Sequence, residues 1–260
     1  MTLLPEGVGA LAALLVIAAS FIGAFVTAAF GLGGGLFLLA VMGAAFPALS
    51  IVPVHGVAQL GANASRFGFL ARHAVWPSIA WFATGAVIGA ALGARLYVAV
   101  PPWILKLAIA GFILIALFAP KLRGFNPSPA VFGGAGAVSS VLTMFVGATG
   151  PFVAGVLTTS AYNRLQLVST HAAMMAAQHG LKTLAFGALG FAFAEWAFII
   201  TGIVLAGFAG SWLGARRLAK TTEGQFQQIF KMILTGLALY LMVSGILDAL
   251  AIPRGQAEAG

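Results

Sequence analysis

The residues best suited to chemistry form two polar stripes, on apolar segments at residues 51–71 and 165–188. Spacings of four, four and three residues place the first stripe on one helix face: His55, Gln59, Asn63 and Arg66. The second stripe also ends in a cation and consists of His171, Gln178, His179 and Lys182. Polar side chains inside apolar helices are costly and usually face a cavity or a partner. We therefore interpret the two stripes as parts of one central site.

The side chains of both stripes suit an anion. Neither stripe contains a carboxylate, and the acids of the chain lie near segment ends or in the tails: Glu6, Glu195, Glu223, Asp248 and Glu258. Arginine, lysine and amide donors bind anions, whereas Mg²⁺ or Ca²⁺ needs oxygen ligands. We predict that the amides and the two cations bind substrate, while His55, His171 and His179 bind it or carry protons. For any single residue, a purely structural role in the core or at an interface fits equally well.

Two glycine-rich breaks stand at equivalent points of the chain, GLGGG (31–35) and GATGP (147–151). Each separates a long apolar segment from a short one, so backbone N–H groups at the start of the short helix could face an anion. A tight turn or close packing is the alternative interpretation. The predicted backbone ligands are Gly33, Gly34, Gly35, Gly147, Thr149 and Gly150. The separate glycines at 85, 89 and 93 and at 202, 210 and 214 are predicted to form packing faces.

Composition defines the class of protein. Of the 260 residues, 61% are hydrophobic and only 7% are charged, against about a quarter charged in soluble domains. The chain is therefore predicted to be an integral membrane protein built from helices. The net charge of +8 is assigned to short loops rather than to nucleic-acid binding. The absence of cysteine and of a close-spaced histidine motif predicts no metal site and no cofactor.

The apolar segments fall into two sets of five, with the second member of each set short. The first set covers residues 8–30, 34–46, 51–71, 75–98 and 102–119, and the second covers 130–147, 151–161, 165–188, 192–215 and 226–250. Gly31 matches Gly147, His55 matches His171 and Arg66 matches Lys182, all at an offset of 116. We predict an all-α membrane bundle of about 8–10 segments in two repeats, 1–119 and 130–250, with a linker at 120–129 and a tail at 251–260.

Charge distribution favours an inverted second repeat. With five crossings per half, one side collects Arg72, Lys121, Arg123, Arg164, Arg216, Arg217 and Lys220 against Glu223. The other side holds Arg95, Lys106 and Arg254 against the remaining four acids. The positive-inside rule then makes the linker cytoplasmic and puts both termini outside. This argument fails if the short segments turn back instead of crossing.

Three motifs resemble the TauE/SafE family of sulfite-exporter-like membrane proteins: FGLGGG (30–35), HGVAQLGANASRFGFL (55–70) and FVGATGP (145–151). The resemblance covers essentially the whole chain. It implies secondary transport of small sulfur-containing or organic anions, such as sulfite, sulfoacetate and other sulfonates, across a bacterial inner membrane. The chain departs from the family pattern because its first proline after GGG is delayed to Pro47 and because its second motif is GATGP.

We therefore expect a multi-pass transporter of a small organosulfur anion, with proton coupling through the histidines, and no enzyme activity. Two other functions stay open at this point, a passive anion channel and a membrane enzyme or assembly factor with a histidine metal site. The expected partners are the anion and the lipid bilayer. The exact substrate, the direction of transport, the coupling ion and a homo-oligomeric state are left open.

Overall fold

A computed structural model of the chain describes residues 4–30, 33–97, 100–118, 127–217 and 224–251. Within these ranges the chain forms ten α-helices and no strand, which confirms the predicted all-α class. The first five are α1 (Ala10–Phe30), α2 (Gly34–Ala45), α3 (Ala48–Leu70), α4 (Trp76–Tyr97) and α5 (Pro102–Phe118). The others are α6 (Pro129–Val146), α7 (Gly150–Leu157), α8 (Arg164–Ala188), α9 (Ala197–Arg217) and α10 (Gly224–Ala251).

Several predicted features lie outside the described residues. They are Gly31, most of the linker, almost all of the tail, and the charged residues Lys121, Arg123, Lys220, Glu223, Arg254 and Glu258.

The described helices differ in length and in polar content. Five helices are long and apolar enough to cross a membrane, namely α1, α4, α6, α9 and α10. The helices α3 and α8, with 23 and 25 residues, are also long, but they carry the polar stripes and pack against each other. The helices α2 and α7 have only 12 and 8 residues. At 1.5 Å per residue, α7 is about 12 Å long, well short of a bilayer core of about 30 Å.

The helix α7 is shorter than the segment that the sequence predicted. The sequence favoured an apolar segment over 151–161, but the helix ends at Leu157. Hydroxyl groups of Thr158 and Thr159 donate to the carbonyls of Gly155 and Val156, which gives the backbone a competing local arrangement. Asn163 then forms a capping box at the start of α8.

Small residues bring helices of the two halves into close contact. A Cβ atom on Gly89 of α4 would overlap the carbonyl of Ala137 in α6, and one on Gly210 of α9 would overlap the carbonyl of Phe21 in α1. Gly89 and Gly210 are matching positions of the two predicted repeats, so under that prediction the pairs α4–α6 and α1–α9 correspond to each other. Two other extensive contacts, α3–α8 and α5–α10, each pair a helix with its predicted counterpart. The predicted packing role of these glycines is confirmed.

The helices α1 and α3 run in the same direction along α9. For α1 the successive contacts are Ile17 with Gly202 and Phe25 with Gly214. For α3 they are Gly61 with Val204 and Phe69 with Phe208. The chain must therefore travel back between α1 and α3, and α2 makes that passage.

The two ends of α2 mark the passage. Its first residue, Gly34, lies against Gly23 and Thr27 in the C-terminal half of α1. Phe46, just after α2, packs on Trp196 ahead of α9, with ring centroids 5.2 Å apart. The first short segment therefore crosses the bundle rather than turning back.

The helices α3 and α8 are antiparallel. Gly56 of α3 lies against Thr183 of α8, whereas the carbonyl of Leu70 accepts a hydrogen bond from Ser169 at 2.8 Å. Counterpart helices of an inverted duplication are expected to run in this way. The inverted orientation of the two halves itself stays a prediction.

Candidate functional site

The main cavity lies between the two glycine breaks, and the space among its lining atoms is about 430 Å³, including the part that is open to solvent. Eight of the predicted site residues line it: Gly33, Gly35, Gln59, Asn63, Arg66, Gly150, His171 and His179. Five further residues complete the lining, namely Thr27, Leu36, Ala148, Pro151 and Met175. A smaller cavity of about 260 Å³ adjoins it and shares Thr27, Gly35, Gln59 and Arg66 with it, and Gly34 lines only this second space.

Arg66 brings positive charge to the main cavity. Its Nη1 donates to Asn63 Oδ1 at 3.1 Å, and Asn63 Nδ2 donates to the backbone carbonyl of Gln59 at 2.8 Å. The Nε of Arg66 is buried and has no hydrogen-bond partner among the described residues. The only ion pair within the described ranges joins Lys106 to Asp248 at the surface, so no described carboxylate neutralises Arg66. The guanidinium of Arg66 therefore has N–H groups that bind no described acceptor, and its positive charge is unpaired among the described residues.

The first break is built around a close approach of α1 and α2. Gly33 has φ 101°, a left-handed conformation that favours glycine. The N–H of Gly34 donates to Thr27 Oγ1 at 3.0 Å, and this hydroxyl donates to the carbonyl of Gly23 at 3.0 Å. The N–H groups of Gly35 and Leu36 have no acceptor among the described residues. Both residues line the main cavity, so two backbone donors are placed beside it.

The second break also places a backbone donor beside the cavity. Phe152 and Val153 both donate to the carbonyl of Thr149, and Pro151 has no N–H. The N–H of Gly150 finds no acceptor in the described part of the chain. His171 contacts the carbonyl of the same Gly150 through Nε2 at 3.0 Å and so fixes the start of α7 against α8.

Five predicted site residues are fully buried behind the cavity wall instead of lining it: His55, Gly147, Thr149, Gln178 and Lys182. The Nζ of Lys182 donates to the carbonyl of Gly147 at 2.7 Å. Thr143 Oγ1 donates to the same oxygen at 3.1 Å. Gly147 has φ 78°, which again favours glycine. Lys182 thus binds the backbone of the second break and is held away from the cavity.

His55 connects the two breaks. Its Nδ1 lies 3.1 Å from the carbonyl oxygen of Gly147, and its Nε2 lies 3.0 Å from that of Gly35. A neutral imidazole carries one N–H, so it donates to only one of these two oxygens. The ring of His179 lies 6.0 Å from the ring of His55, and its Nδ1 is buried without a partner among the described residues.

Gln178 links the second break to α6. Its Nε2 donates to Thr149 Oγ1 at 2.7 Å and to the carbonyl of Ser139 at 3.0 Å. Ser139 Oγ donates to Gln178 Oε1 at 3.3 Å. The side chain of Gln178 therefore holds Thr149, the residue before α7, against Ser139 of α6.

Within the described residues, no group of three or more His, Cys, Asp or Glu side chains is placed to hold a metal ion. The described acids, Glu6, Glu195 and Asp248, are all exposed. The polar centre consequently contains donors, neutral amides and cations.

The family model for the sulfite exporter TauE/SafE matches residues 15–241, which include both breaks and both polar stripes. The chain belongs to the TauE/SafE family. Searches of curated proteins and of solved structures gave no match. Membership makes this TauE/SafE chain a multi-pass membrane protein of a sulfite-exporter family, whose members are transporters. The predicted resemblance is confirmed.

Two threonines of this TauE/SafE chain are site residues that the sequence reasoning missed. Thr27 and Thr143 stand at the same offset of 116 as the two histidines, and each binds the break that follows its helix. The offset alone could have found this pair. Met175 stands at the same offset of 116 from Gln59, so at this pair of positions the lining is an amide in the first half and an apolar side chain in the second.

Proposed function

We propose that the chain is a secondary transporter for a small organosulfur anion of the sulfite, sulfoacetate or sulfonate class. The anion binds in the main cavity. The observation that carries the proposal is the guanidinium of Arg66, which lines this cavity with no carboxylate partner among the described residues. Gln59, Asn63 and the N–H groups at the two breaks supply further donors. Charge-assisted hydrogen bonds of this kind are the strong ones.

The residues behind the wall hold the breaks in place. Lys182, Thr143 and Gln178 bind the backbone or side chains around Gly147 and Thr149. We assign them a positioning role, because movement of this break would displace the N–H of Gly150. Broken helices whose N-termini face a substrate are a recurring device in transporters.

Proton coupling is proposed for the histidines, and His55 is the best placed of them. Both of its ring nitrogens face carbonyl oxygens, so a second proton on the ring would place N–H groups against both Gly35 and Gly147, whose oxygen also accepts from Lys182 and Thr143. Gaining that proton would strengthen the bridge between the breaks, and losing it would weaken the bridge. His171 and His179 lie at the cavity wall, where they are close to the bound anion.

Alternating access is proposed to arise from two inverted repeats, 1–119 and 130–250, with the linker on the cytoplasmic side of a bacterial inner membrane. The antiparallel α3–α8 pair and the passage made by α2 support this topology. The Lys106–Asp248 pair, 2.7 Å long, joins two residues that the charge argument places on the same side.

Reconstituted protein in proteoliposomes tests the function. Flux of sulfite and of a short sulfonate is measured against a pH gradient for the wild type, Arg66→Gln and Arg95→Gln. Arg95 is an exposed cation outside the cavity, so its variant is the matched control. We expect saturable, gradient-dependent flux in the wild type and in Arg95→Gln, and loss of flux in Arg66→Gln. Unchanged flux in Arg66→Gln would contradict the site, and single-channel currents would contradict a carrier.

A further inference from the structure

The main cavity has an unequal chemical lining that bears on which anions it can accept. Its residues supply a single permanent charge, the guanidinium of Arg66. The second cation of the polar centre, Lys182, is fully buried and donates to the carbonyl of Gly147, so it does not line the space. The charge available to a ligand is therefore one.

A second negative charge on the ligand would have no second cation of the described lining in contact with it. The cavity lies between packed helices. A charge that leaves water to enter it pays a desolvation cost that only a nearby opposite charge or hydrogen bonds can offset. The remaining polar groups of the lining are a hydroxyl, two amides, two imidazoles and backbone N–H groups. These groups can hydrogen-bond one anionic head, but they supply no fixed charge to a second one.

Part of the lining is apolar. The side chains of Leu36, Ala148, Pro151 and Met175 all border the cavity. Met175 is otherwise buried and takes the place that Gln59 holds in the first half. Apolar surface of this kind favours a ligand that carries methyl or methylene groups beside its charged head.

We propose that the cavity selects singly charged organic anions with a short apolar chain, such as alkanesulfonates of one to three carbons, over doubly charged anions. This inference rests on the proposed function, because it concerns the same cavity. It narrows the substrate class by charge and by chain, because sulfoacetate and the sulfite dianion carry two negative charges and are disfavoured, whereas hydrogen sulfite and alkanesulfonates carry one. It also assigns Met175 as a residue that determines specificity through contact with the chain of the ligand.

Binding measurements on the full chain in nanodiscs test the selection. Calorimetry is run at constant ionic strength and at about pH 8, where an ordinary imidazole is neutral. The ligands are methanesulfonate, propane-1-sulfonate and 3-sulfopropanoate. The last two match in length and differ in having a methyl group or a carboxylate at the far end.

We expect affinity to rise by about fourfold for each added methylene. Propane-1-sulfonate should bind about tenfold or more tightly than 3-sulfopropanoate. In Met175→Gln, which keeps the side-chain length, the gain in affinity from methanesulfonate to propane-1-sulfonate should fall. Equal or tighter binding of 3-sulfopropanoate, or an unchanged chain-length dependence in Met175→Gln, would overturn the inference.

A parallel measurement on Arg66→Gln separates this inference from the proposed function. If 3-sulfopropanoate binds the wild type more tightly and Arg66→Gln abolishes that binding, the selection is refuted while the anion site stands. If all three ligands bind equally to the wild type and to Arg66→Gln, the anion site itself is refuted. The anion site and the selection are both supported if the wild type prefers propane-1-sulfonate and Arg66→Gln binds none of the ligands.

Discussion

Replacing Gly34 with alanine perturbs the first break at its tightest contact. A Cβ atom at this position would overlap the carbonyl of Gly23 and press on the hydroxyl of Thr27. The carbonyl belongs to the backbone of α1, so the clash is relieved only if α1 or α2 moves. Overpacking of this kind costs about 1–3 kcal/mol. Loss of the 3.0 Å hydrogen bond from Gly34 N–H to Thr27 adds about 1 kcal/mol.

The expected destabilisation of Gly34→Ala is therefore about 2–4 kcal/mol, or a fall in melting temperature of roughly 5–15 °C. Thermal unfolding of the detergent-purified protein, followed by tryptophan fluorescence, measures this change. Gly134→Ala in α6 is the matched control, because no described atom lies within 4 Å of the added Cβ. This control should be neutral or slightly stabilising. Equal melting temperatures for the two variants would refute the close approach of α1 and α2.

Three further substitutions address the groups that hold the breaks. Thr27→Val should destabilise the protein by about 1–3 kcal/mol because it leaves Gly34 N–H without its acceptor. Thr27→Ser keeps the hydroxyl and should unfold near the wild-type temperature. Equal losses of stability in the two variants would exclude the hydrogen bond as the cause. Lys182→Met should raise the melting temperature, since it removes a buried cation that has no described acid partner; a strongly lowered melting temperature would show that the bond to Gly147 outweighs the cost of burial. The double variant His55→Gln, His171→Gln should transport without dependence on the pH gradient, and flux that still follows the gradient would assign coupling to another group.

Hydropathy and glycine placement were sufficient to predict the helices and both breaks. The first helix was predicted at 8–30 and spans Ala10–Phe30, and the short second helix was predicted at 34–46 and spans Gly34–Ala45. A membrane helix must satisfy its backbone internally, so runs of apolar residues and their interruptions show clearly in a sequence. The shared offset of His55 and His171 was also informative, because each ring contacts a carbonyl at the start of a short helix.

The position of Lys182 could not be predicted in this way. Helical spacing places a residue on a face, but the crossing of two helices decides which part of that face reaches the cavity. At the α3–α8 crossing, the side chain of Lys182 packs on Gly56, whose missing Cβ makes room for it. Its Nζ therefore meets Gly147, whereas Arg66, its counterpart at the offset of 116, reaches the cavity. Two residues at the same offset thus have different surroundings.

The most direct test of an anion site between the two breaks is a structure of the protein with 2-bromoethanesulfonate bound, in which anomalous scattering locates the bromine. We predict the sulfonate within hydrogen-bonding distance of the Arg66 guanidinium and the bromine against Met175. A bound ligand found elsewhere in the protein, with the main cavity free of it, would contradict the account.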